Sequence, residues 1–411
     1  MKRTFSLLMS AALLASTLSA IPAAAVPRMT TMAMAPLKLL KPAEPLPVDN
    51  CTFFLTQHWP ADPDAVHQLL PKAQISYQPE RRNWKQMIVR YDTQVVTLTR
   101  QTSREQVADQ KNYYLELLPR LDQDRNLAVT RDLGRKASLI KQTVSVSSLD
   151  SDDPEWPKLI SGLAQLWHGT VLYRDELLDT RLRVLLARRD DWEDDSTVPY
   201  FPSALARRAR TERLLTVRKL PIYKNLAPIV TEEELQGQAA RQVMERALTL
   251  LVLASTSTTL TRPEAADMLM TWGLLHELTP SEKAYLTKDE PSDEEIQAVN
   301  LRFEAAYALL WALGVAPKTT FPGKPSDLLG LIQRVKSRSF RSWFDHAKLR
   351  PSSQILDQLD LAYRVSWAKK SYSDLDYKPL RDLQSNLVHE WYHSLSWLVA
   401  RKGWDQVKTE Y

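Results

Sequence analysis

The stretch from Ser292 to Gly314, SDEEIQAVNLRFEAAYALLWALG, decides the fold of the C-terminal half of the chain. It opens with a capping box, in which Ser292 and Glu295 each satisfy a backbone N–H that the first helical turn leaves unpaired. Apolar residues then recur every three or four positions, and Gly314 can take the left-handed conformation that ends a helix. From Ala305 onward nearly every position is apolar, which predicts that other helices enclose the second half of this helix.

Around this helix, residues 231–411 predict an all-α domain. Three more capping-box spacings occur, at Thr231 and Glu234, Thr261 and Glu264, and Thr279 and Glu282. The predicted helices are 232–254, 262–272, 280–286, 293–313, 326–336, 352–370 and 386–402, with a short one at 338–346. Because the connections are short, we expect the helices to form a compact bundle.

Residues 51–195 predict a domain of strands and helices in mixed order. The predicted strands are 52–57, 74–78, 84–91, 94–100, 138–147 and 170–173, and the predicted helices are 62–70, 154–167 and one that begins at Ser103. The two-residue connection Asp92-Thr93 predicts a hairpin. Strands outnumber helices here without regular β-α-β alternation, so the whole chain is predicted to be α+β. A connector, residues 196–230, contains four prolines around a predicted basic helix at 203–215.

The N-terminus predicts export. Residues 1–25 have a positive start at Lys2 and Arg3, an apolar run and a small-residue cleavage pattern ending at Ala25. The alternative, an uncleaved membrane anchor, is disfavoured because the apolar run is too short to span a bilayer. Residues 26–50 are rich in proline and predict a flexible linker. We therefore expect a soluble protein, periplasmic or secreted after cleavage near Ala25, with no integral membrane segment.

The composition argues against several classes of function. The formal net charge of +5 falls by two when Lys2 and Arg3 leave with the signal, which is too little to imply a nucleic-acid partner. The basic run containing Arg207 and Arg210 is predicted to be a solvated helix face. No two of the nine glycines are closer than seven positions, which excludes the glycine spacings of phosphate-binding loops and nucleophile elbows. Cys51 is the only cysteine, so there is no internal disulfide.

The C-terminal half resembles a bacterial family known as domain of unknown function 4272. The resemblance covers roughly residues 234–411 and rests on segments that follow one another in the family's order and spacing. These segments are RQVMERALTLL at 241–251, WGLL at 272–275, LTPSE at 278–282, FEAAYALLWALG at 303–314, LRPSSQILDQLDLAYRVSWA at 349–368, LSWL at 395–398 and WD at 404–405. The resemblance implies a helical domain preceded by a variable region. It implies no activity, ligand or catalytic residue.

One motif carries recognisable chemistry: His389-Glu390-Trp391-Tyr392-His393 reads H-E-x-x-H. On a helix this spacing places two imidazoles on one face as zinc ligands, with the glutamate as general base. Asp405 and Glu410 are the candidate third ligands. The alternative is a solvated or locally hydrogen-bonded histidine pair. It is favoured because both histidines flank the apolar stripe and because the family typically has histidine where this chain has Tyr392.

A second candidate site is a cleft between helices, formed by Arg302, Glu304, Asp357 and Asp360. A charge such as Glu304 within an apolar helix must be paired or solvated. The alternatives are a structural ion pair for Glu304 and an ordinary surface pair for Asp360 with Arg364. The tryptophans of this half are predicted to be core residues, with Trp404 as the best candidate for an exposed one.

These observations favour a non-catalytic binding or protein-interaction role in the cell envelope, with no cofactor and an envelope protein as the partner. The alternative is a zinc-dependent hydrolase that uses His389, Glu390 and His393. A third hypothesis, an envelope stress or immunity-type antagonist, rests only on export and the uncharacterised domain.

Overall fold

The computed structural model describes most of the chain from Asn50 to Thr409. The described residues are 50–57, 61–92, 94–121, 127–148, 155–187, 196–316, 326–327, 331, 342, 344, 347–372, 377–381 and 383–409. The predicted signal at 1–25 lies outside these residues, as do residues 26–49 of the predicted linker. The predicted helices 326–336 and 338–346 lie largely outside them. Asn50, where the linker was predicted to end, already belongs to the first strand.

The described N-terminal region contains one antiparallel sheet of eight strands. The strands are β1 (Asn50–Leu55), β2 (Gln74–Gln78), β3 (Gln86–Tyr91), β4 (Gln94–Gln101), β5 (Gln142–Ser148), β6 (Thr170–Tyr173), β7 (Glu176–Leu178) and β8 (Val184–Leu186), in the order β2-β3-β4-β5-β1-β6-β7-β8. In the central strand β1, Phe53 is paired with Val144 of β5 and Val171 of β6. The chain is α+β, as the sequence predicts.

Helices cover both faces of this sheet. They are α1 (Asp64–Leu69), α2 (Arg104–Leu121), α3 (Leu127–Leu139) and α4 (Glu155–Trp167). Successive side chains of a strand point to opposite faces. Phe53 accordingly packs in one apolar cluster with α1 and α4, whereas Phe54 packs in a second cluster with α2 and α3. Apolar residues on both faces of β1 are therefore buried.

The structure confirms the β3–β4 hairpin and corrects one strand. Tyr91 is paired with Gln94, and Asp92 has φ +46°, the left-handed conformation that tight hairpin turns require. The predicted strand 138–147 is wrong at its start. Ser138 and Leu139 end α3, and the strand begins at Gln142. The reason is tertiary, since Ala137 and Ile140 pack with α2 against the sheet.

The described C-terminal region is helical throughout. Its helices are α5 (Pro202–Val217), α6 (Ala240–Ser255), α7 (Arg262–Thr271), α8 (Pro280–Thr287), α9 (Asp293–Ala312), α10 (Ser352–Ser371), α11 (Lys378–Arg381) and α12 (Ser385–Val399), with short 3₁₀ turns at Leu275–Glu277 and Trp404–Gln406. In this part of the chain, helix α9 packs against α6 and α12, and α10 packs against α12 and α5.

Helix α9 behaves as its sequence predicts. Ser292 Oγ accepts from Glu295 N at 3.3 Å, and Ser292 N donates to Glu295 Oε2 at 2.7 Å. Every residue from Phe303 to Ala312 is buried. Gly314 has φ +72°, and Val315 N donates back to Leu310 O at 2.9 Å, which closes the helix end. The enclosed second half of this helix is confirmed.

The predicted helix at 232–254 is wrong in its first two turns, because α6 begins only at Ala240. Glu234 does accept from Thr231 N, as a capping box requires, but its other carboxylate oxygen accepts from Thr56 Oγ1 of the N-terminal region at 2.5 Å. Gln238 N then donates to Leu398 O at 2.8 Å, near the end of α12. These long-range bonds replace the first turns of the predicted helix.

The two regions are joined by polar contacts. Arg135 of α3 donates to the Tyr363 hydroxyl of α10 at 2.5 Å, and Tyr200 OH donates to Asp132 of α3 at 2.9 Å. In the part of the chain that the structure describes, every helix falls short of the length or the apolarity needed to span a bilayer.

Candidate functional site

Helix α12 carries the H-E-x-x-H motif, and the structure places its three chemical groups in different surroundings. His389 is exposed and His393 is half-buried, with ring centroids 6.2 Å apart. The Glu390 side chain is only 8% exposed, and both of its oxygens lie 3.1 Å from Nη1 of Arg302 on α9. The carboxylate that a hydrolase would use as a base is thus held in an ion pair.

Burial controls the charge of these groups. It raises the pKa of Glu390, an effect that the neighbouring Arg302 opposes. The pKa of His393 is lowered to about 4, chiefly by burial and also by the nearby Arg302 and His389, so this imidazole is neutral at neutral pH. A neutral imidazole is the form that binds metal. Of the candidate third ligands, Asp405 is exposed and Glu410 lies outside the described residues. Zinc binding by this motif stays a prediction.

The second predicted site consists of residues that contact different partners. Glu304 is buried and accepts hydrogen bonds from Ser326 N and Oγ, both at 2.8 Å, and from Trp391 Nε1 at 3.1 Å. Asp357 is 47% exposed and accepts from Arg207 and Arg210 of α5. Arg302, as shown above, pairs with Glu390 on α12. Among the described residues, Glu304 and Asp357 therefore share no partner and do not contact each other.

Three charged residues that were predicted to lie at the surface are buried. Asp360 and Arg364 form an ion pair 3.1 Å long whose side chains are 0% and 3% exposed, so the expected surface pair is wrong. Arg207 is also buried, and it donates to Glu232 at 2.6 Å and to Asp357 at 3.0 Å. The prediction of a solvated basic face is therefore wrong for this residue. Helix α5 packs against α10, and the two carboxylates compensate the buried guanidinium.

A polar cleft, which we call the Trp404 cleft, has a volume of about 390 Å³. It lies between the start of α6, residues 276–279 and the segment that follows α12. Its lining combines two tryptophans with polar side chains. The lining residues include Gln242, Arg246, His276, Glu277, Trp397, Lys402, Trp404 and Gln406.

A buried arginine supports the cleft. Arg246 is 1% exposed, and its two terminal nitrogens donate to Glu282 at 2.6 and 2.9 Å. Nη1 also donates to Glu277 O at 2.8 Å, and the guanidinium lies 4.3 Å from the centre of a Trp404 ring. Glu282 is at the same time the capping-box glutamate of α8, accepting from Thr279 N at 2.9 Å. One carboxylate therefore caps the first turn of α8 and neutralises the arginine.

Trp404 is buried, so the prediction of an exposed tryptophan is wrong. The segment after α12 turns back and places this ring against Arg246, His393 and Trp397. The charged residues next to Trp404 in the sequence indicated that its side chain is exposed to solvent. In the folded chain, the residues that contact the ring shield it from solvent. The other tryptophans of α9 and α12, Trp311, Trp391 and Trp397, are buried as predicted.

Three potential metal ligands meet at the rim of the cleft, which we call the rim cluster: Glu245, His276 and Glu277. Their ligand atoms all lie within 4.8 Å of one another. Burial raises the pKa of Glu277; His276 and Arg246 oppose this shift, and Glu245 and Glu282 add to it. Sequence reasoning missed this cluster because Glu245 lies 31 positions from His276 and no spacing rule connects them. The adjacent pair His276-Glu277 was its only local signal.

The fold and the cleft together define a two-part protein, an antiparallel α+β region followed by a helical domain with a polar cleft. Residues 207–407 match the family model "Domain of unknown function (DUF4272)". The resemblance of the C-terminal half to this family, predicted from its sequence, is therefore confirmed. The match includes all but the first five residues of α5, a helix that the sequence placed in the connector. Comparisons with curated proteins and with solved structures give no match.

Proposed function

We propose that this protein is an exported, non-catalytic binding protein whose Trp404 cleft holds a polar segment of a protein partner in the cell envelope. The observation that carries the proposal is a cleft of about 390 Å³ whose walls combine tryptophan with hydrogen-bond donors. Tryptophan is enriched at protein interfaces because it offers a large apolar area and one polar group.

The donors suit a ligand rich in acceptor oxygens. Gln242 and Gln406 each use the side-chain oxygen to accept a backbone N–H, from Ala239 and Gly403, both at 3.1 Å. Within the described residues this leaves their NH₂ groups as donors, because an amide carries two such hydrogens. Lys402 is exposed beside them. Peptide carbonyls and carboxylates are the acceptors that such a set binds.

The ion pair of Glu390 favours binding over hydrolysis. A general base must be free to take a proton from water. In this structure Arg302 contacts both oxygens of Glu390 and stabilises its charged form. Export itself is supported by residues 1–25, whose pattern is typical of a secretory signal.

Site-specific photocrosslinking tests the proposal. A benzophenone amino acid at Gln406, in cells that express the full chain, should crosslink to one envelope protein. Lys402→Glu should reduce the yield, because a negative charge then repels acceptor groups. The control places the same probe at Val217, which is 81% exposed and does not line the cleft.

Two results would contradict the proposal. One is an identical crosslinking pattern from Gln406 and Val217. The other is turnover of a peptide or ester substrate that disappears in Glu390→Gln, which would favour the zinc-hydrolase alternative. Export is tested separately by mass spectrometry of the extracytoplasmic protein, which should begin near Val26.

A further inference from the structure

The rim cluster brings together three atoms that can each donate a lone pair. Glu245 lies on α6, and His276 and Glu277 lie on the 3₁₀ turn that precedes α8. The ligand atoms of the three residues are within 4.8 Å of one another. The His276 side chain is 62% exposed, and that of Glu277 is 20% exposed. The cluster is thus accessible to an ion from solvent.

The hydrogen bond of His276 decides which of its nitrogens faces the cluster. Nδ1 lies 2.9 Å from Gly273 O. A carbonyl oxygen only accepts, so Nδ1 carries the hydrogen, and Nε2 is the ring nitrogen that can offer a lone pair to a metal ion. Histidines that bind metals are held in this way, with the second nitrogen donating to a carbonyl or carboxylate.

The lone pair of Nε2 faces another acceptor. Glu277 Oε1 lies 3.4 Å from Nε2, and the carboxylate of Glu245 completes the group. Of the two nearby arginines, one has its hydrogen bonds with other groups and the other is largely exposed to solvent, which weakens its attraction to the cluster. Arg246 bonds the backbone oxygen of Glu277 and the carboxylate of Glu282, and Arg241, which bonds Glu245 at 2.9 Å, is 77% exposed. Three acceptors this close are stabilised by a cation between them.

We infer that Glu245, His276 and Glu277 form a binding site for one divalent cation of the Zn²⁺ class at the rim of the Trp404 cleft. One imidazole nitrogen with two carboxylates is a ligand set that zinc accepts. Ligand atoms on a tetrahedral zinc ion with bonds of about 2.1 Å lie about 3.4 Å apart. The distance from His276 Nε2 to Glu277 Oε1 already has this value. A water molecule would occupy the fourth position.

This site is separate from the H-E-x-x-H motif in sequence and in ligands. Its histidine and carboxylates lie on α6 and the 275–277 turn, whereas His389 and His393 lie on α12. In the rim cluster Glu245 pairs with the exposed Arg241 and Glu277 faces the imidazole, whereas in the motif the buried Glu390 is compensated by Arg302. The two clusters can therefore be told apart by substitution.

Isothermal titration of the purified, chelator-treated full chain with Zn²⁺ at pH 7 tests the inference. The wild type should bind one ion. His276→Ala and Glu277→Gln should each weaken binding at least about tenfold, since each removes a ligand or its charge. The matched controls His389→Ala and His393→Ala should leave the affinity within about twofold. Because His276 is mostly exposed, its substitution should not change the unfolding temperature without metal.

A second measurement keeps the test independent of titration heats. Zn²⁺ should raise the unfolding temperature of the wild type, because a ligand that binds only the folded state stabilises it, and should not raise that of His276→Ala. Three results would overturn the inference: no zinc binding by the wild type, binding that survives His276→Ala but is lost in His393→Ala, or Ca²⁺ binding as tight as Zn²⁺.

Discussion

The α12 motif and the rim cluster contain the same kinds of side chain, histidine and glutamate, in the same helical domain, but their charges are compensated differently. Glu390 is 8% exposed and contacts Arg302 with both oxygens. In the rim cluster the carboxylate of Glu277 lies 3.4 Å from the acceptor nitrogen of His276. The motif has the spacing of a zinc site, but an arginine pairs with the glutamate that would act as its general base. The rim cluster has no zinc-site spacing in its sequence, but the ligand atoms of its three residues lie within 4.8 Å of one another.

The charge of Arg246 acts on residues of both the α12 motif and the rim cluster. It lowers the pKa of His393, Glu390 and Glu277 by its positive charge, and its own charge is neutralised by Glu282. A buried ion pair is costly to break, because removing one partner leaves an uncompensated charge. Substitutions at Arg246 and at its neighbours therefore test how the charges of each cluster are compensated.

The largest effect is expected for Arg246→Met. We expect the free energy of unfolding to fall by about 3–5 kcal/mol, because the Glu282 carboxylate is then left buried without its partner. Urea denaturation measures the change. The double variant Arg246→Met with Glu282→Gln should recover part of the loss. The control Arg241→Met, at a position 77% exposed, should change stability by less than about 0.5 kcal/mol. A similar loss in both single variants would refute a special role for the buried pair.

Arg302→Met should have a smaller effect, about 1–3 kcal/mol, because Arg302 is 29% exposed and Glu390 can recruit water or a proton. Urea denaturation again measures the loss. Arg210→Met serves as the control, since its pair with Asp357 is about half exposed on both sides and should contribute within about 0.5 kcal/mol. Equal effects of the two substitutions would mean that Glu390 is not compensated by Arg302.

The third prediction concerns pH. The pKa of His393 is about 4 in the folded protein and about 6.5 in the unfolded chain, so between these values the unfolded state binds more protons. His393 should therefore destabilise the fold progressively as pH falls from 6.5 towards 4, with a slope of at most about 1.4 kcal/mol per pH unit. In His393→Gln this part of the slope should disappear. Denaturation curves at several pH values measure it, and parallel profiles for the two proteins would contradict the buried, neutral imidazole.

The smallest effect is expected for His389→Ala. The side chain is exposed, so the free energy of unfolding should change by less than about 0.5 kcal/mol. The corresponding substitution in the rim cluster, His276→Ala, should change the free energy of unfolding equally little but should abolish the zinc-dependent rise in unfolding temperature. Thermal unfolding with and without Zn²⁺ measures both. If His389→Ala removed the rise instead, zinc would belong to α12.

Much of the helical scaffold could be predicted from the sequence because its signals are local. The capping boxes at Ser292, Thr261 and Thr279 involve residues three positions apart, and Gly314 closes α9 through bonds to its own last turn. Enclosure of α9 followed from its apolar composition. The β3–β4 hairpin was signalled by two residues between alternating strands.

The candidate sites were harder to predict because their contacts join distant parts of the chain. Arg246 meets Glu282 across 36 positions, and Thr56 meets Glu234 across 178. Because Glu234 bonds Thr56, the segment after the capping-box spacing at Thr231 does not continue as a helix. Helix α6 therefore begins later than its sequence indicates. Trp404 lies in a charged stretch but is covered by α6 and α12. A local sequence pattern cannot predict contacts with residues this far away in the chain.

Local signals in the sequence specify the α+β class, the helices that surround α9 and the resemblance of the C-terminal half to its family, because periodicity and capping act within a few residues. The tertiary structure alone decided which carboxylates meet an arginine and which meet a histidine. Those choices depend on the desolvation of charges when helices pack, and each charge finds its partner only when the chain is folded.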